Sequence, residues 1–162
     1  MRAMTNEIRE KIKTYRRNGM DISELIGDVI IAGEDLSGTI ISKFSRRERD
    51  LRSIDFSNCI LGDKSVITNI CDKDFRNCNF TKTTMLGVVF ARRCDFRGSN
   101  FQSATVTDMQ YQNSDLRNCN FCETAVRWGI SYGLGAKIDE NIFQDLAKAW
   151  NLKVTVGASN DK

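Results

Sequence analysis

The sequence predicts a repeat fold, stacked from short units of one kind. Three observations predict it. From Leu51 onward, large apolar residues recur every five positions. That spacing matches neither the helical period of about 3.6 nor the strand period of about 2. Two seven-residue stretches, DFRNCNF (Asp74 to Phe80) and DLRNCNF (Asp115 to Phe121), differ by a single exchange of Phe for Leu. Small residues also stand two positions before the apolar one, at Cys59, Cys78, Cys94, Ser99, Ala104, Ser114 and Cys119. Self-similarity at a fixed period marks folds in which each unit buries its apolar face on the next.

Taken in order, the apolar series runs Leu51, Phe56, Leu61, Val66, and a four-residue insertion is expected at Asn69 to Asp72 (NICD). It resumes at Phe75, Phe80, Met85 and Phe90, with Arg93 as one extra residue. From there it continues through Phe96, Phe101, Val106, Tyr111, Leu116, Phe121 and Val126. Ile31, Leu36 and Ile41 fit the same step more loosely, and Asp or Asn often precedes the apolar residue.

This pattern resembles the pentapeptide-repeat family over roughly Val29 to Val126, best in the units SNFQS, SDLRN, CNFCE and CDFRG. Any single unit is weak, but fifteen fall in phase between Leu51 and Val126. The resemblance implies an all-β fold, a right-handed quadrilateral β-solenoid (pentapeptide-repeat β-helix). Each coil would hold four units, with the apolar residue and the small one before it turned inward. The expected organisation is an N-terminal helical cap over 1–28, the solenoid over 29–128, and a C-terminal helix and short strand over 129–162 that caps or oligomerises.

Within that register the Cys119-x-x-Cys122 pair is an accident of the period. Cys119 should pack inward as a modest hydrophobe, while Cys122, following Phe121, should face out. Arg49 and Lys73 fall at the small inward position and are read as corners where the pattern is not yet established.

Successive coils stack at about 4.8 Å, so outward residues form columns. Asp50, Asp74, Asp95 and Asp115 should stand beside Arg52, Arg76, Arg97 and Arg117, the two columns interleaving as a solvated ladder or serving as a charged docking stripe. Asp55, Asn79, Asn100 and Asn120 should form a side-chain amide ladder. Ile60, Ile67, Leu86, Val89 and Ala125 are expected to face outward and to be covered, because monomers rarely expose large apolar patches; either a terminal segment of the same chain folds over them or they are a partner surface for another protein. The run ISKFSRRERD (Ile41 to Asp50) breaks register and is read as a protruding basic loop carrying Arg46, Arg47 and Arg49.

A solenoid needs covered ends. A helix from about Asn6 to Arg17, with Ile8, Ile12 and Tyr15 on one face, should end at Asn18-Gly19. DISE (Asp21 to Glu24) looks like a capping-box start. At the other end Asp139 can cap a helix whose Ile142, Phe143, Leu146 and Trp150 share a face and are the candidate oligomerisation residues, with Ile138 and Phe143 as a staple; Leu152 to Val156 then alternates as a strand.

Composition narrows the function. The 162 residues include six cysteines, no histidine and no proline, and carry a formal charge of +3. The charged N-terminal stretch has no apolar h-region, so a secretory signal is not expected, and the cysteines read as reduced thiols. A cytoplasmic protein, or part of a phage particle, is the expectation. Without histidine the usual general base is missing. No catalytic residues, metal ligands, cofactors, small-molecule substrate or membrane contact are expected.

The expected function is a non-enzymatic interaction scaffold, a structural subunit or adaptor in a larger bacterial or phage assembly, with a protein partner or self-association. The resemblance also brings DNA mimicry that modulates DNA gyrase. That role needs a strongly negative surface, whereas residues 49–128 hold eleven basic and nine acidic side chains. A host-directed effector is a further alternative, and nucleic acid is not an expected partner.

Overall fold

Turns in this chain are made without proline, by residues with left-handed backbone. Ser53, Asn58, Asp72, Asn77, Lys82, Arg93, Ser103, Asn113, Asn118 and Glu123 all have φ between 55° and 61°. Each stands two positions after an inward residue, and the amide of the next residue commonly closes back on the inward carbonyl, as Cys59 N does on Phe56 O and Thr83 N on Phe80 O. Positive φ at the third residue of a four-residue turn is the type II signature. Asn and Asp tolerate it through short polar side chains, which accounts for half of these positions.

The computed structural model describes residues 1–65, 67–126, 135–140 and 144, with the side chains of Val88, Thr107 and Val126 left aside. Helix α1 (Asn6–Arg17) and the short α2 (Ser23–Ile26) precede strands β1 (Ile40–Ile41), β2 (Ile60–Gly62), β3 (Thr68–Asn69), β4 (Thr84–Phe90), β5 (Thr105–Gln110) and β6 (Ala125–Val126). The strands pair in parallel in the order β1-β2-β4-β5-β6, with β3 also on β4. Single parallel bridges complete the other walls: Asp50↔Asp74↔Asp95↔Asp115 and Asp35↔Asp55↔Asn79↔Asn100↔Asn120. Among the described residues, those from β1 to β6 are therefore a stack of β coils preceded by two helices, and Glu140 and Gln144 are helical as well. No helix among the described residues is long and apolar enough to cross a membrane.

Inside, the rings form two columns. Phe56, Phe80, Phe101 and Phe121 stack with centroids 5.1, 4.7 and 4.9 Å apart, and Phe75 stacks on Phe96 at 5.0 Å. The columns meet at tilted or edge contacts such as Phe96–Phe101, 5.7 Å. This five-residue register holds for Leu51, Phe56, Leu61, Met85, Val106, Tyr111 and Leu116, all buried. Val66 lies outside the described residues.

Two irregularities sit elsewhere than expected. Asn69 pairs with Phe90, Ile70 is buried, and Asp72 makes a turn, so NICD is an ordinary unit rather than an insertion. The insertion is the loop between the pairs Gly62↔Leu86 and Thr68↔Val89. It spans residues 63–67, where only Gly87 and Val88 lie on the other strand. The single extra residue of the next coil is not Arg93. It is absorbed between Met85 and Val88, where the β4–β5 register shifts and Gly87 has φ +72°. That slip reverses the strand beyond it, because side chains alternate faces along a strand. Val89 and Ala91 are buried, while Phe90 is turned to the outer side under Arg92, 4.6 Å from its ring.

Helix α1 matches its expected span, and Thr5 Oγ1 accepts from Ile8 N as its cap. Ile8 and Ile12 are buried in the common core, with Tyr15 packed partly buried against it. Asp21 does not cap α2. It accepts from the amides and hydroxyls of Ser23 and Ser42, tying that turn to the end of β1, while Glu24 pairs with Lys43. Of the C-terminal elements, Ile138 packs partly buried on the core and Asp139 accepts from Asn118 N. Ile142, Phe143, Leu146, Trp150 and the 152–156 strand lie outside the described residues.

Candidate functional site

Outward chemistry is set by which donors and acceptors the coils use up among themselves. On the first wall each Asp accepts from the amide two residues on and from its arginine's guanidinium, as Asp95 does from Arg97 at 2.9 and 2.6 Å. The same arginine leans toward the next coil: Arg52 to Asp74 at 3.8 Å, Arg76 to Asp95 at 3.6 Å, Arg97 to Asp115 at 3.7 Å. The columns interleave as expected. The side-chain bonds of Arg52 hold the Asp50 carboxyl below its ordinary value, and those of Arg117 do the same for Asp115. For Asp95 burial pushes upward, and the bonds from Arg97 outweigh it.

The second wall is less of a ladder than expected. Asn79 Nδ2 donates to Asp55 across coils at 3.1 Å. Otherwise Asn79, Asn100 and Asn120 use Oδ1 to accept from Thr81, Gln102 and Cys122 amides, closing their own turns.

On the third wall the outward column reads Ile40, Ile60, Thr84, Thr105, Ala125. Ile60 is 38% exposed and Ile67, on the 63–67 loop, 55%. Ala125 is exposed, and Leu86 is half-buried beside the Gly87 bulge. Val89, expected among them, is 2% exposed and belongs to the core, because the bulge at Gly87 turns it inward.

The inward small position does more than fill space. Cys78 Sγ donates to Leu51 O, Cys94 to Ile70 O, Cys119 to Phe96 O and Cys59 to Leu36 O, at 2.8–3.0 Å. Ser99, Ser114, Thr83 and Thr124 make the same bond with hydroxyls. Burial pushes the Cys78, Cys94 and Cys119 thiols up to about 12, so they remain donors. Cys119 is buried and Cys122 exposed, so the two thiols lie on opposite sides of the wall.

Lys73 takes the same inward position and is not a corner residue. It is 4% exposed, and its ammonium donates to the carbonyls of Ser45, at 2.6 Å, and Glu48. Its pKa is lowered by burial. Those bonds hold the 42–50 loop down. Phe44 turns in to meet Phe56 and Phe75 edge-on at 6.0 and 6.3 Å, and Glu48 is buried. Arg46, Arg47 and Arg49 stay exposed, so of the two residues expected at the inward position Arg49 is outside and Lys73 inside.

With this geometry, residues 74–110 match the family model for pentapeptide repeats, in eight copies. Those residues are a run of pentapeptide repeats. No match is found among curated proteins. Among solved structures this chain is similar to a pentapeptide repeat protein from the cyanobacterium Cyanothece 51142. They share 23% identity over 66% of this chain and 61% of that one, with a TM-score of 0.37. This chain thus spans less than two thirds of that protein's length. A pentapeptide repeat protein from the Arabidopsis thaliana thylakoid lumen shares 18% identity over 82% of each chain, with a TM-score of 0.29. QnrB1, a plasmid-mediated fluoroquinolone resistance protein, shares 14% identity over 79% of this chain and 86% of that one, with a TM-score of 0.24.

Proposed function

We propose that this pentapeptide-repeat chain is a non-enzymatic interaction scaffold that docks protein through its apolar third wall. The working body is a right-handed, four-sided solenoid over 29–128, with 1–28 and 129–162 as its end segments. It acts in a cytoplasm or within a phage particle, as one component of a larger assembly. The observation that carries this reading is the contrast between two walls. Ile60 and Ile67 are exposed with Leu86 beside the same bulge, whereas Arg52, Arg76, Arg97 and Arg117 are all paired to their own aspartates. Burying apolar area gains roughly 25 cal/mol per Å²; undoing a satisfied ion-pair ladder gains little.

The same pairing weighs against DNA mimicry, since each Asp of the column has an arginine against it. The test is light scattering on the isolated chain, with co-purification from the native source as a second arm, each run beside Ile67→Asp. Weakened association in the variant supports the proposal. Unchanged association in both arms contradicts it.

A further inference from the structure

Between the 42–50 loop and the fourth wall, on which Asn69, Phe90 and Gln110 pair, lies an open cleft of about 480 Å³, lined by Arg46, Arg49, Asn69, Cys71, Asp72, Lys73, Arg92 and Arg93. Five of these are cations and one is a carboxylate. The cations differ sharply in what they already hold. Arg93 is spent on Asp72, at 2.6 and 2.7 Å, and Lys73 on two backbone carbonyls. Arg92 lies over Phe90 and donates one terminal nitrogen to Gln110, while its Nε is buried with no partner among the described residues. Arg46 and Arg49 are exposed, and neither guanidinium has a hydrogen bond or ion pair among those residues. Arginines elsewhere in the repeat, such as Arg52, Arg76, Arg97 and Arg117, are bound bidentately. Asn69 spends Oδ1 on the Cys71 amide, which leaves its amide nitrogen as a donor.

Unspent guanidinium donors converging on one concave site, with the only carboxylate already neutralised, fit a phosphate-type anion, which arginine binds in a planar, bidentate way. The volume falls in the ordinary range for a small-molecule site and exceeds what a single phosphate needs.

We propose that this cleft binds a diphosphate-bearing small molecule, with Arg46 and Arg49 gripping it from the loop and Arg92 and Asn69 from the wall. The buried Lys73 matters indirectly. By pinning Ser45 and Glu48 it fixes the loop from which Arg46 and Arg49 project, so the site is preformed. The ligand is independent of the protein-docking wall, and each proposal can fail without the other.

The experiment is calorimetric titration of the full chain with sodium pyrophosphate at constant ionic strength and neutral pH. Parallel arms use ADP, sodium sulfate and a short DNA duplex. Expected is saturable one-to-one binding of pyrophosphate, weakened at least about tenfold by Arg49→Gln and by Arg46→Gln, and unchanged by Arg117→Gln on the ladder. Each variant's melting temperature is measured alongside, since both loop arginines are exposed and their loss should leave the fold intact. ADP binding tighter than pyrophosphate assigns the diphosphate to a nucleotide; equal or weaker binding assigns it to the free anion or another ester. No saturation, equal binding of sulfate, equal loss in Arg117→Gln, or duplex DNA binding more tightly than pyrophosphate would each overturn the proposal.

Discussion

Cys78 Sγ donates to the carbonyl oxygen of Leu51, 2.8 Å away and one coil back. The bond is buried and Leu51 has no exposed surface, and an unmet acceptor there costs about 1–3 kcal/mol. Since Ser99 and Ser114 make the equivalent bond at 2.6 Å, Cys78→Ser should fold with nearly the parent's melting temperature. Cys78→Ala should melt clearly lower. Thermal denaturation followed by circular dichroism decides between a donor and a filler at this position.

The same thiols give the fold an alkaline limit. Burial lifts Cys78, Cys94 and Cys119 from an ordinary 9.0 to about 12. A proton held more tightly folded than unfolded stabilises the fold fully below the unfolded value and is lost as pH rises through the folded one. Melting temperature should therefore decline between about pH 9 and 12, and replacing all three by serine should flatten that decline relative to the parent. Equal decline in both would show that the thiols do not titrate as buried donors.

Phe101 sits between Phe80 and Phe121 at 4.7 and 4.9 Å, and the neighbouring Gln102 is on the outside, half-exposed. Phe101→Ala should cost about 3–5 kcal/mol, read as a large fall in denaturation midpoint, and Gln102→Ala should cost almost nothing.

Gly62 has φ +85°, and a Cβ there would stand 2.6 Å from the Leu86 carbonyl oxygen and 2.7 Å from Thr68 Oγ1. Gly62→Ala should destabilise the chain by more than an exposed Gly19→Ala, whose added carbon meets nothing within 4 Å. Urea denaturation of the two variants gives the comparison.

Much of this was legible in the sequence because period and pairing are one constraint: a five-residue step that buries Phe75 also buries Phe80 and stacks Asp74 on Asp95. What escaped were residues that period alone cannot locate. An extra residue between the in-phase anchors Met85 and Phe96 can sit anywhere between them by counting, and only the strand pairing puts it at Gly87. That displacement moved Val89 from the candidate surface into the core. The one signal available was the glycine itself, the residue most tolerant of the positive φ a bulge requires. Phe44 was missed for another reason: it lies in an aperiodic loop, and its ring-edge partners are ones that no spacing announces. The period did put Lys73 at the inward position, but the backbone carbonyls that hold it belong to that same loop, so it was read as a corner. Of the candidate sites, Ile60, Leu86 and Ala125 keep outward places on the third wall and Ile67 is exposed on the loop that follows it, and the basic cleft became visible only when the 42–50 loop and the fourth wall were brought together.

The docking wall is tested most directly by comparing Leu86→Asp with Arg97→Ala in one light-scattering and co-purification series. Leu86 stands beside Gly62 at the bulge, so a carboxylate there would put charge at the centre of the apolar side without entering the ring stack. Arg97 is the control, already bound to Asp95 and Asp115. The account predicts that Leu86→Asp loses association at an unchanged melting temperature while Arg97→Ala associates like the parent. Association kept by Leu86→Asp and lost by Arg97→Ala would place the working face on the charged wall and contradict it.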